Sequence, residues 1–267
     1  MYYLRMILPL LLLAQASVLD NWRAEIERLD RSKVIVLHVT EDMPPPQDPI
    51  ARRIVMQVFQ SAGFTAQFTR AEAMSVTNGK YHFVLINPVL TSETNYEAVL
   101  AHELGHLWLK AQGYPSPIYQ GGEAGCLAVS TGDVVQHVLI RAEMDRRQID
   151  WRRHWMENLG SATDHMENAG QTQPPAPICQ RLSQLALWID VKLGLDPTSW
   201  NGFERFENAM AASFPELKQP AGEMSIHLSR LNLTDKTVHR QALGYVFARM
   251  KSAGVEIDRK LNETKTP

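Results

Sequence analysis

The sequence predicts an α+β fold: a small N-terminal sheet with one apolar helix bearing the pattern HExxH, followed by a mainly helical C-terminal half. Short β-branched runs fall only before Pro88, and beyond Pro177 apolar residues recur at three- and four-residue steps. The chain has 267 residues, 45% hydrophobic and 21% charged, enough to bury a sizeable core in one domain or two small ones.

The first residues read as a leader. Met1 to Arg5 is short with one positive charge, Met6 to Leu13 is apolar, and Ala14 and Ala16 are the small residues that a signal peptidase reads. Cleavage after Ala16 is expected, with residues 1–16 removed and the product secreted or periplasmic. An N-terminal core or anchor helix is the alternative, because Val18 and Leu19 lengthen the run. The run is far shorter than the ~20 residues needed to cross a bilayer, so no stable membrane insertion is expected.

Lys33 to Val39 is a β-branched run of the buried-strand kind, and Asp48 to Ala62 opens with Asp then Pro and stops at Gly63, as a helix does. Further strands are expected at Phe64 to Thr69 and at Tyr81 to Asn87. Thr94 to Gln112 is a helix, mostly apolar from Ala98 and stopped by Gly113 and Pro115, so it should lie inside against the sheet. After the glycine-rich loop Gln120 to Gly125, Ser130 and Asp133 fit a capping box opening a helix to about Gln148. Gly160 to Pro177 lacks a period and reads as a long loop or seam between a catalytic region, 17–160, and a helical region, 179–267. Within the latter, Leu182, Leu185, Ala186, Ile189 and Leu193 mark a helix, and two more are expected at about Asn201 to Phe214 and Thr234 to Ala253.

Charge and cysteine content exclude several functions. The formal net charge of -2 and the lack of a basic run supply no field for holding nucleic acid or anionic lipid. The two cysteines lack the C-x-x-C spacing of a zinc ribbon or redox site. Cys126 and Cys179 both follow the cleavage site in a chain bound for an oxidising compartment, so a disulfide between them is expected; two buried free thiols are the alternative.

The chemistry lies in His102-Glu103-Leu104-Gly105-His106. Histidines four apart on a helix project from one face and converge on one ion. Glu103, beside them, is placed to take a proton from the water that such an ion activates. Uncharged neighbours Val99, Leu100, Leu104, Leu107 and Trp108 make these polar groups expensive unless a metal or hydrogen bonds satisfy them.

At these residues the chain resembles the zincin-like metallopeptidases, firmly over Val99 to Trp108 and thinning out by about Met144. The metzincin pattern would continue with glycine and a third histidine where Leu109 and Gln112 stand, so the likeness is to the gluzincin arrangement or a related one, with a third ligand from a later helix. The resemblance implies Zn²⁺ as cofactor, Glu103 as catalytic base, and hydrolysis of a peptide or protein substrate.

The third ligand is sought among Glu123, Asp133, His137 and Glu143. Glu123 sits in the glycine-rich loop and Asp133 has its capping role. His137 lies in the apolar stretch Val134 to Ile140, an unfavourable place for an unpartnered histidine, and is taken to join His102 and His106. Glu143 points about 120° away around the helix, and Arg141 with Asp145 to Arg147 suggests that the helix is exposed there. Glu143 and Glu123 stay open as alternatives. Tyr114, Tyr119 and His165 are weaker candidates for stabilising an oxyanion; His38 reads as a packing residue. Asn232 and Asn262 open N-x-[ST] sequons. A non-catalytic exported binding protein that keeps the zincin shell is the alternative to an enzyme.

Overall fold

The computed structural model describes residues 17–40, 47–60, 71–117, 123–169 and 177–263. The expected leader and the strand expected at Phe64 to Thr69 lie outside them.

The fold is α+β. Helix α1 (Val18–Asp30), absent from the sequence reading, begins where the Ser17 hydroxyl accepts from the backbone N–H of Asp20. It buries Trp22 and Ile26 completely. Strand β1 (Lys33–His38) and helix α2 (Pro49–Gln60) follow as expected, the latter capped by Asp48, whose carboxylate accepts from the N–H groups of Ile50 and Ala51.

Strands β2 (Ala73–Asn78) and β3 (Tyr81–Ile86) form a hairpin. Gly79, at φ 59°, takes the first position of its two-residue turn, a conformation that side chains disfavour. The sheet order is β1-β3-β2, with β3 parallel to β1 and antiparallel to β2. Covered on both faces, the central strand is a continuous buried run from His82 to Ile86. His82 is accommodated there by Asp30 at 2.6 Å and Thr77 at 2.9 Å.

Helix α3 (Tyr96–Ala111) carries the HExxH residues and packs on the sheet, on α1 and on α4 (Glu123–Arg146). Gly105 permits the close approach of α3 and α4: a Cβ there would lie 2.5 Å from Cγ2 of Ile140. Helix α4 begins at Glu123, so the expected cap at Ser130 and Asp133 is mid-helix, and Ser130 is buried. Packing against α6 (Ile178–Gly194) and α9 (Lys236–Glu263) outweighs the local signal of Gly125 and Ser130.

The expected loop from Gly160 is also corrected over its first half. Helix α5 (Arg152–Ala169) continues through it, burying Leu159 and Thr163 one turn apart. Its polar composition belongs to a solvated face, where Asp164 and Glu167 pair with Arg205 of α7 (Phe203–Ser213). After a short 3₁₀ turn, α8 (Lys218–Leu228), also unanticipated, leads into α9. Among the described residues the main hydrophobic core runs from Trp22 on α1 to Ala253 on α9, and a smaller cluster of Ala51, Ile54, Val55, Phe83 and Leu85 joins α2 to the sheet.

Cys126 and Cys179 form a disulfide, Cα–Cα 5.6 Å, joining the first turns of α4 and α6. That bond fits an oxidising compartment. No described helix is long and apolar enough to cross a membrane.

Candidate metal centre

His102 and His106 leave α3 on one face, one turn apart, and His137 meets them from α4. Their ring centroids are 4.9, 4.7 and 5.4 Å apart, and one nitrogen from each falls within 4.8 Å of the others. Nε2 of His102 and Nε2 of His137 are 2.9 Å apart, near the roughly 3.3 Å separation of two nitrogens on one tetrahedral zinc. These three histidines are therefore close enough together to hold a metal ion.

The outer nitrogens have partners that suit such a role. His106 Nδ1 donates to Oε1 of Gln136 at 3.0 Å, and Gln136 in turn donates to Ser116. His137 Nδ1 donates to Oδ2 of Asp190 on α6 at 3.1 Å, while Arg141 donates to the other oxygen at 2.6 Å. With Nδ1 held by an acceptor, Nε2 keeps its lone pair facing the cluster, which is how metal-bound histidines are oriented. Burial, with the charges of His102 and His137 alongside, holds His106 down to about 3, so it is neutral. Burial would also lower His102, yet its hydrogen bond to Glu103 and the charges of Glu103, Asp133 and Asp190 raise it.

Glu103 is buried beside His102. Burial pushes its carboxyl up, but the hydrogen bond and charge of His102 and a hydrogen bond from Ser75 on β2 hold it down to about 2. Asp190 behaves alike: burial opposes ionisation, while Arg141 and His137 hold it down to about 2. Burial pushes Asp133 up.

The other sequence candidates are placed elsewhere. Glu143 is buried, not solvated, and its carboxylate accepts from both Arg146 and Arg147. The end of α4 was expected to be exposed, but α1 covers it: Arg147 stacks over Trp22 and donates to Glu25. Asp133 comes within 3.9 Å of His137 from one turn earlier on α4. Glu123 opens α4, and its side chain lies outside the described residues, as does Tyr119. Tyr114 donates to the carbonyl of Thr234, His165 is exposed on α5, and His38 stacks on Tyr96.

A cleft of about 280 Å³ opens over His102, Glu103 and His137. Trp151, Trp155, His154 and Glu72 also line it, with Glu72 accepting from His154 at 2.8 Å. Sequence reasoning missed Asp190, Gln136, Glu72 and His154. Only Asp190 carried a usable signal, a lone carboxylate in the apolar run Leu185 to Val191. No protein-family model, curated protein or solved structure matches this chain.

Proposed function

We propose that this chain is an exported zinc-dependent hydrolase that cleaves peptide bonds, with His102, His106 and His137 as metal ligands and Glu103 as general base. The observation that carries the reading is the convergence of three imidazoles beside a buried carboxylate at the floor of an open cleft. An all-imidazole donor set suits zinc among the divalent ions, and three protein ligands leave a position open for chemistry. Zinc bound there supplies Lewis acidity to a water and to a substrate carbonyl.

The chain's own groups do the rest. Glu103, ionised at neutral pH and lining the cleft, takes the proton from the attacking water and delivers it to the leaving amine. Asp190 and Gln136 keep two of the imidazoles in the tautomer a metal needs. The disulfide supports the exported setting.

The test is a zinc titration paired with Glu103→Gln. Zinc should bind near one per chain and stay bound in the variant, while turnover falls by about two to four orders of magnitude, the range for losing general-base assistance. Chelation should abolish hydrolysis and zinc restore it. Stoichiometric zinc without hydrolysis of any member of a peptide library would favour a non-catalytic binding protein instead.

A further inference from the structure

Arg141 lines the cleft one turn beyond His137 on α4, and its position is tightly built. Nη1 donates to Asp190, and the guanidinium carbon lies 4.9 Å from the ring centre of Trp155 and 5.6 Å from that of Trp151. One turn beyond Asp190, α6 approaches so closely at Gly194 that a Cβ there would lie 2.8 Å from Arg141 Nε and 2.8 Å from the Trp155 ring. Yet Nη2 is buried with no hydrogen-bond partner among the described residues. A buried donor left unmatched carries its desolvation penalty unrelieved, so a guanidinium held by Asp190 and Trp155 at the lining of the cleft, with Nη2 unmatched, has capacity for one more acceptor.

The neighbouring polar group shows the contrast. Glu72, which also lines the cleft, already accepts from His154, Asn158 and Asn95. The acceptor that matches a planar guanidinium edge is a carboxylate. With Glu72, Glu103 and Asp190 all nearby, a group of one negative charge fits better than a dianion.

We propose that Arg141 is the anchor of a carboxylate subsite, so that the peptides taken by this cleft carry a carboxylate beside the bond to be cut. This rests on reading the cleft as the peptide site, and the carboxylate comes from a chain terminus or from an acidic side chain. The test measures binding, so it does not depend on turnover. Acetyl-Ala-Ala as the free acid, acetyl-Ala-Ala-amide and acetyl-Ala-Glu-amide are titrated into the full chain, zinc-loaded and zinc-stripped, with tryptophan fluorescence as readout.

One carboxylate-bearing probe should bind about tenfold or more tighter than acetyl-Ala-Ala-amide in both zinc states, the return on one charge-assisted hydrogen bond. Whichever it is names the source: the free acid a terminus, the Glu amide a side chain. Arg141→Lys, which retains the charge beside Asp190, should lose the preference, and Gly194→Ala, which displaces the guanidinium, should weaken it. Equal binding of all three probes, or a preference seen only with zinc present, overturns the proposal, as does a preference that survives Arg141→Lys. Absence of hydrolysis alongside the expected binding pattern would sink the hydrolase reading and leave the subsite standing.

Discussion

Asp190 joins the candidate ligand His137 to the buried Arg141, and replacing it separates two effects that the structure ties together. Asp190→Leu keeps the branching of the side chain but removes both acceptor oxygens. Arg141, about one-tenth exposed, is then a buried cation without its anion, and breaking such a pair from one side costs about 3–5 kcal/mol. His137 simultaneously loses the acceptor that orients it, which lowers metal affinity by roughly 10–100-fold. The double variant Asp190→Leu/Arg141→Met replaces the ion pair by apolar groups, so stability should largely return while zinc affinity stays low. Urea unfolding of the zinc-free proteins reads the first quantity and competition with a chromophoric chelator the second. Recovery of full zinc affinity in the double variant would refute the reasoning, because Asp190 would then act on the metal only through the fold. Unchanged stability in the single variant would refute the ion-pair part.

Three further outcomes are expected. Gly105→Ala forces a methyl against Ile140 and should cost about 1–3 kcal/mol, weakening zinc binding as α3 and α4 part; thermal melts and zinc titration check it, and adding Ile140→Ala should restore the zinc binding. Replacing Cys126 and Cys179 by Ala opens a closure of 53 residues; denaturant unfolding should show a loss of about 4 kcal/mol, the chain-entropy value. At Glu25, hydrogen bonds from Arg147 and Trp108 outweigh burial, which pushes the other way, and hold its carboxyl below 4.5. The stability this gives is complete above the unfolded-state value and lost as pH falls through the lower folded one, so Glu25→Gln should be less stable than the parent at neutral pH and the gap should close well below pH 4.5, by urea midpoints.

The features legible in sequence are those whose cause is local. Histidines four apart on an apolar helix share a face whatever the helix packs against, so His102, Glu103 and His106 could be read directly. His137 could be read because an imidazole inside Val134 to Ile140 is expensive without a partner. The hairpin strand β2 is also marked in the sequence, by the turn signal Asn78-Gly79.

Other features depended on elements distant in the chain. The charges of Arg141 and Asp145 to Arg147 around Glu143 predict a solvated stretch. Burial of that stretch comes from α1, more than a hundred residues earlier, whose Trp22 and Glu25 receive Arg147. Likewise, no local pattern names the acceptor of His137, since Asp190 reaches it only when α6 packs across α4. Sequence alone determined which imidazoles lie on which helix, because side-chain direction follows backbone periodicity. The tertiary structure decided how those imidazoles are held and what faces them across the cleft, because hydrogen bonds and ion pairs form between whichever groups packing brings within about 3 Å.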